Sequence, residues 1–139
     1  MPTTAPITIA DLDPFTLAYL ECILWAETDN SDENTGGNPL DQNYDFYDFD
    51  YDSLVRAVDE CRRFQEENAT DLARYNHPQW SAAELGGHDF WLTRNGHGCG
   101  FWDRTDCLPE EARDRLTAAA EKYGNRDITV GDDGNVYIE

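Results

Sequence analysis

Carboxylates dominate the chemistry that the first part of this chain offers. Residues 41–52 hold five aspartates set among tyrosines and phenylalanines, and no lysine or arginine precedes Arg56. In an extended conformation Asp48, Asp50 and Asp52 would share one face, because side chains alternate along a strand. The aromatic residues between them would then point into the body. A regular row of this kind imitates the charge of a nucleic-acid backbone.

The charge of the whole chain is as uneven as that of this stretch. Of the net charge of −19, residues 1–55 carry −12 and the remainder carries −7. Charge of one sign concentrated in one region projects a field and opposes folding through self-repulsion. We therefore expect the acidic half to contact a positively charged partner. The predicted contact residues are Asp29, Asp32, Glu33, Asp41, Tyr44, Asp45, Tyr47, Asp48, Asp50, Tyr51 and Asp52.

Two other interpretations of these acids need no partner. Asp50 and Asp52 also fit the N-terminal cap of a following helix, with the other acids solvating a loop. The stretch Asp29–Asn34 offers oxygen ligands for calcium, but it lacks the glycine at the sixth loop position and the closing glutamate. A calcium site is therefore disfavoured.

Histidines and cysteines offer the second set of reactive groups. His88 and Asp103 fall opposite each other in a predicted hairpin, where they form either an acid–base pair or a structural bridge. Zinc binding by His88, His97, Cys99 and Cys107 is disfavoured, because the hairpin places the two histidines far apart. No phosphate-binding loop, dinucleotide fingerprint or nucleophile elbow occurs in the sequence. We predict no catalytic residue, metal or cofactor, and expect a protein that is not an enzyme.

The elements that must position these groups follow from periodicity and turn residues. A first helix is predicted over Pro14–Glu27, apolar on almost every side and therefore central. An acidic connection of over twenty residues, about 28–50, leads to a second helix over Tyr51–Asn68. Loops of that length are usually functional or disordered. A helical turn over Ser81–Leu85 ends at Gly86-Gly87.

The predicted central hairpin depends on Asn95-Gly96, a strong two-residue turn signal. It pairs His88–Arg94 with His97–Asp103 and places the ring of Trp91 over Gly100. A third helix begins at Pro109 and ends at Gly124, and a last hairpin pairs Asp127–Val130 with Asn135–Ile138. The order α-α-β-β-α-β-β predicts a single α+β domain, with a small antiparallel sheet packed against helices.

Composition bounds the class of protein. A chain of 139 residues with four Trp, seven Tyr and six Phe can bury a real core. Cys22 and Cys61 fall on apolar helix faces and are predicted to be buried thiols. Without a signal peptide or an apolar span, we expect a cytosolic protein away from membranes. A chain this acidic is repelled by phosphate, so direct nucleic-acid binding is disfavoured.

The stretch Gly87–Arg104, which reads GHDFWLTRNGHGCGFWDR, resembles a motif of small uncharacterised bacteriophage and prophage proteins. Leu24-Trp25, residues 40–44 and residues 130–134 are similar to the same family, so the resemblance covers most of the chain. It implies a phage origin and no established chemistry. The longer insert around Asp29–Asn38 and the run Asp45–Asp52 depart from the family pattern.

Together these features predict a phage inhibitor of a host defence complex, of the anti-CRISPR or anti-restriction type. Its acidic surface would occupy a cationic site on a host nucleic-acid-binding protein in the host cytoplasm. One alternative is a small ligand-binding domain or enzyme centred on the hairpin, with His88, Arg94, His97 and Asp103 as its polar groups. Another alternative is a phage accessory or assembly protein.

Overall fold

The computed structural model describes residues 7–29 and 37–139, and it confirms the α+β class. Five helices and two small two-stranded antiparallel sheets are present in these ranges. Short 3-10 turns at Leu40–Gln42, Phe46–Asp48 and Phe101–Asp103 lie between them. The helices and strands are α1 Pro14–Ala26, β1 Thr28–Asp29, β2 Asn38–Pro39, α2 Tyr51–Glu67, α3 Ala69–Leu72, α4 Ala82–Arg94, α5 Glu110–Tyr123, β3 Ile128–Val130 and β4 Val136–Ile138.

Helix α1 lies at the centre, as its apolar residues predict. The carboxylate of Asp13 caps it by accepting a hydrogen bond from the backbone N–H of Thr16 at 2.9 Å, and Pro14 occupies the first helical position. Nearly every residue from Phe15 to Leu24 is buried, except on the line through Leu17 and Glu21. The largest contact of α1 is with α4.

The predicted hairpin over residues 88–103 is wrong, because residues 82–94 form helix α4. Ser81 caps this helix, and Asn95-Gly96 ends it instead of turning one strand into another. Gly86 and Gly87 lie inside the helix, where they allow α1 to approach. A Cβ atom on Gly87 would lie 2.1 Å from the backbone oxygen of Phe15.

The chain after α4 folds back onto that helix and does not form a strand. The backbone N–H of Phe101 donates to the hydroxyl of Thr93 at 3.0 Å, and a Cβ on Gly100 would clash with the same hydroxyl. Gly100 therefore accommodates Thr93, and the predicted contact with the ring of Trp91 is wrong. Phe101 enters the core, where Phe64 stacks on Phe90 with ring centroids 4.1 Å apart.

The predicted end of the helical turn at Gly86-Gly87 is also wrong, because α4 continues to Arg94. The first, second and third predicted helices and the last hairpin are confirmed with small shifts at their ends. Helix α2 buries the face that includes Leu54, Ala57, Cys61 and Phe64. Strands β3 and β4 pair antiparallel, with Ile128 opposite Ile138. Cys22 and Cys61 are buried free thiols whose pKa is raised by burial. No helix in the described ranges is long and apolar enough to cross a membrane.

A buried ion-pair cluster ties α2 and α4 to the chain after α5. The Arg94 side chain is 0% exposed and donates to both carboxylate oxygens of Glu60, at 3.0 and 3.3 Å. Its other bonds go to the hydroxyl of Tyr19 and the backbone oxygens of Tyr123 and Gly124. These five bonds match the five donors of a guanidinium, so the buried charge is fully satisfied.

Candidate functional site

The acidic segment, defined here as residues 41–52, is held in place by its own side chains. In the turn Phe46–Asp48, the Asp45 carboxylate accepts from the backbone N–H of Tyr47 at 2.9 Å. The Asp48 carboxylate accepts from the backbone N–H of Asp45 at 2.8 Å. Each aspartate thus satisfies a backbone donor that the short turn leaves open. Residues 45–48 therefore form a self-capped turn.

The acidic segment is also anchored to the body of the protein. Phe49 is buried and forms a parallel bridge with Val136 of β4. The backbone N–H of Asp50 donates to the backbone oxygen of Val136 at 2.8 Å, and the Asp50 carboxylate caps α2 by accepting from Ser53 at 3.1 Å. The carboxylates of Asp45, Asp48 and Asp50 therefore have fixed positions.

The aspartates of the acidic segment have no cationic partner among the described residues. None of the ion pairs there includes Asp41, Asp45, Asp48, Asp50 or Asp52. The arginines and carboxylates after residue 55 pair mainly with each other, as in the bidentate contact of Arg115 with Asp71. The negative field of this surface is therefore not cancelled locally.

Exposed aromatic rings accompany these carboxylates. Tyr47 is 80% exposed and Tyr51 is 48% exposed. The Tyr51 hydroxyl accepts a hydrogen bond from the backbone N–H of Ile7 at 3.0 Å, which fixes its ring on the surface. The Tyr44 hydroxyl lies 3.4 Å from the Asp29 carboxylate and joins that residue to the segment.

The structure brings together nine of the predicted contact residues, but in a different geometry. The prediction of an extended row is wrong, because Asp48 lies in a 3-10 turn, Asp50 caps α2 and Asp52 lies in the first turn of that helix. Phe49 points into the body as predicted, whereas Tyr51 does not. The capping role of Asp50 is confirmed. Asp32 and Glu33 lie outside the described residues.

A cavity of about 510 Å³ lies on another face, between α1, the N-terminal half of α4 and the loop that precedes α4. Pro14, Leu17, Ala18 and Leu85 give it apolar walls. The polar and aromatic residues of its lining are Glu21, His77, Trp80, Glu84, His88 and Arg104.

His88, one of the two histidines that line this cavity, has other neighbours than the sequence predicts. His88 lies with its Nε2 3.9 Å from the carboxylate of Glu21, and the predicted pair with Asp103 is wrong. Burial lowers the pKa of His88, although Glu21 and Asp89 oppose that shift. The imidazole is therefore mainly neutral at pH 7.

The carboxylate beneath the cavity is Asp89, which is fully buried. Arg104 donates to its two oxygens at 2.9 and 3.0 Å, and the Tyr75 hydroxyl donates at 2.6 Å. This bidentate pair neutralises the guanidinium that lines the cavity.

The other predicted polar groups of the hairpin lie apart. Arg94 is in the buried cluster, and Nε2 of His97 lies 3.2 Å from the carboxylate of Glu27, an ion-pair distance without hydrogen-bond geometry. Within residues 7–29 and 37–139, no three histidine, cysteine or carboxylate side chains are grouped to hold a metal ion. The hairpin-centred site therefore does not exist as predicted.

Sequence reasoning missed the cavity because it placed residues 88–94 in a strand. His77 and Trp80 carried no motif, and their position next to α1 depends on contacts across the fold. The usable signal was the run of good helix formers Ala82–Leu85 directly before Gly86-Gly87, because a glycine inside a helical pattern often has a packing reason.

The comparisons with known proteins add no relative. No family model matches the chain, and no significant match was found among curated proteins or solved structures.

Proposed function

We propose that this protein is a bacteriophage inhibitor that uses its acidic segment to occupy a cationic site on a host nucleic-acid-binding defence protein. Inhibition would be steric and electrostatic, because a site built to hold phosphate attracts a dense group of fixed carboxylates. The protein would act in the host cytoplasm and would not contact nucleic acid itself.

The observation that carries this proposal is a set of ordered carboxylates without cations. Flexible acids lose conformational entropy when they bind, whereas the capped turn at residues 45–48 is already ordered. Asp41, Asp45 and Asp52 are exposed and have no ion pair with a described residue. A partner therefore has no internal ion pair to break at these positions.

Tyr47 and Tyr51 extend the proposed contact surface beyond charge. Tyrosine is enriched among the residues that dominate interface energies, and arginine stacks on its ring. Both rings are exposed beside the carboxylates. They suit a partner surface rich in arginine, which is the residue most used to hold phosphate groups.

The test is a pull-down from host lysate with two charge-matched variants. The neutral-segment variant replaces four aspartates with asparagine, whose side-chain oxygen still accepts the capping hydrogen bonds. The control variant removes four exposed carboxylates that have no ion pair in the described structure. The neutral-segment variant carries Asp45→Asn, Asp48→Asn, Asp50→Asn and Asp52→Asn, and the control carries Asp106→Asn, Asp114→Asn, Glu121→Gln and Asp132→Asn.

We expect wild type and the control variant to retain the same nucleic-acid-binding protein, and the neutral-segment variant to lose it. Retention should also weaken steeply with ionic strength, because exposed charges are screened by salt. Equal retention by all three proteins would contradict the proposal. Retained partners that do not bind nucleic acid would contradict the mimicry.

A further inference from the structure

We infer that the cavity between α1, α4 and the preceding loop binds an organic cation, an ammonium or guanidinium group carried on an apolar stem. This site lies outside the acidic segment and does not depend on the function proposed above. Its volume of about 510 Å³ falls within the range of small-molecule sites.

The apolar part of such a ligand has a matching surface. Leu17 and Ala18 of α1 and Leu85 of α4 line the cavity, with Pro14 at the first position of α1. Burying methylene or methyl groups against these side chains removes apolar area from water on both sides, which favours binding. A small hydrated ion gains nothing from these walls.

An exposed tryptophan ring supplies the recognition of charge. Trp80 lines the cavity and is 53% exposed. Its loop is fixed by His77, whose Nδ1 accepts hydrogen bonds from the backbone N–H groups of Gln79 and Trp80, both at 3.1 Å. Tryptophan is the best aromatic partner for a cation, and these backbone bonds hold the residue at the edge of the cavity.

The charges around the cavity select a cation over an anion. The carboxylates of Glu21 and Glu84 line it, and neither has an ion pair with a described lysine or arginine. Glu84 accepts one hydrogen bond from the Ser81 hydroxyl at 2.9 Å, which orients it. The guanidinium of Arg104 is already paired with Asp89. Two carboxylates that no described lysine or arginine neutralises therefore line the site.

The first arm of the test uses choline and 3,3-dimethylbutan-1-ol, which have nearly the same shape but differ in charge. Each is titrated into the ¹⁵N-labelled full chain, and binding is read from the chemical shifts of the Trp80 indole and the backbone amides of α1 and α4. Choline should shift these signals, and the neutral alcohol should bind at least about threefold more weakly, since a cation–π contact is lost. Equal binding of the two would overturn the inference.

A second arm titrates N-acetyl-arginine amide, which separates the two sources of such a cation. Tighter binding of choline indicates a free small amine, and tighter binding of the arginine derivative indicates a side chain of a partner protein. Either result supports a cation site. Absence of shifts with both compounds at millimolar concentration would overturn it.

Variants locate the site and exclude non-specific attraction to a chain of net charge −19. Trp80→Leu should weaken choline binding by about threefold, and Glu21→Gln with Glu84→Gln should weaken it by a similar factor. The matched controls are Trp102→Leu, an exposed tryptophan outside the cavity, and Glu110→Gln with Glu121→Gln. Equal losses in the controls would overturn the assignment. The neutral-segment variant should bind the cation like wild type.

Discussion

Carboxylates occupy two contrasting environments in this protein. In the interior, Glu60 and Asp89 are buried and bound by arginines with bidentate geometry. In the acidic segment, Asp41, Asp45 and Asp52 are exposed and have no ion pair with any residue that the structure describes. Removal of a charge should therefore lower the free energy of unfolding in the interior and leave it unchanged or slightly higher in the acidic segment.

The contrast separates the charges that stabilise the fold from those that are available to bind a partner. Arginines after residue 55 join α2, α4 and the segments around α5 through Glu60, Asp71 and Asp89. With the surface pairs of Arg62, Arg63 and Arg74, they occupy seven of the ten basic residues, so few remain to neutralise the surface of the first half. Interior charges should affect the free energy of unfolding, and the acidic segment should affect association.

The largest expected effect is that of Arg94→Met. Removal of the guanidinium leaves the Glu60 carboxylate buried with only Arg126, 3.2 Å away, as a cation. Breaking a buried pair in this way costs about 3–5 kcal/mol of unfolding free energy. Urea denaturation followed by circular dichroism measures the change.

The matched control is Arg62→Met on α2, whose ion pairs with Asp59 and Glu66 are exposed. Exposed pairs contribute about 0–1 kcal/mol, so this variant should unfold close to wild type. Similar losses for Arg62→Met and Arg94→Met would contradict the distinction between interior and surface charge.

Gly87→Ala should have the next largest effect, although alanine usually stabilises a helix relative to glycine by about 1 kcal/mol. The added Cβ would lie 2.1 Å from the backbone oxygen of Phe15, so α1 and α4 must separate. Overpacking of this kind costs about 1–3 kcal/mol, and a backbone contact puts the expected loss near the upper end. Thermal and urea unfolding measure it.

Gly98→Ala is the comparison for this substitution. A Cβ at Gly98 meets nothing within 4 Å. The variant should match wild type or gain a few tenths of a kcal/mol, because alanine restricts the unfolded chain. If Gly87→Ala were equally harmless, the close approach of α1 and α4 would be incorrect.

Local sequence patterns could predict those elements in which the conformation favoured by nearby residues is also the one that tertiary packing requires. The spacing of Leu54, Ala57, Cys61 and Phe64 indicates one buried helix face, and α2 has it. The prediction for residues 82–94 was wrong because Asn95-Gly96 favours a hairpin locally, whereas contact with α1 requires a helix. Tertiary packing decided between two conformations that local propensity left close.

The same limit applies to the candidate sites, whose composition can be predicted from the sequence and whose geometry cannot. The acidic composition of residues 41–52 is visible in the sequence, but the fold of the segment depends on caps and on contact with Val136, which is far away along the chain. The cavity brings Glu21 of α1 next to His88 of α4. Periodicity carries no information on such a contact between separate elements.

Glu60→Gln tests the interior network through pH. Burial raises the pKa of Glu60, but hydrogen bonds and charge from Arg94 and Arg126 outweigh burial, and the pKa lies below its ordinary 4.5. A carboxyl with a lowered folded-state pKa stabilises the protein at neutral pH, and this stabilisation is lost as pH falls from 4.5 through the lower value.

The variant should be about 2 kcal/mol less stable than wild type at pH 7. The difference should shrink as acid protonates Glu60 in the wild-type protein. Urea titrations from neutral pH to below pH 4.5 measure this convergence. Glu66→Gln, on the exposed face of α2, should follow the wild-type curve throughout. A difference for Glu60→Gln that stays constant with pH would contradict the role of the ionised carboxylate.

The smallest effect on stability is expected for the neutral-segment variant. Its asparagines keep the capping bonds of the turn at residues 45–48 and of α2 while four like charges disappear. Unfolding free energy should therefore lie within about 0.5 kcal/mol of wild type and, if it changes, increase at low ionic strength. Added salt should reduce that gain, because it screens the repulsion in wild type. A loss of more than about 2 kcal/mol would mean that these carboxylates hold the fold, as Glu60 does, and the contrast between the two regions would fail.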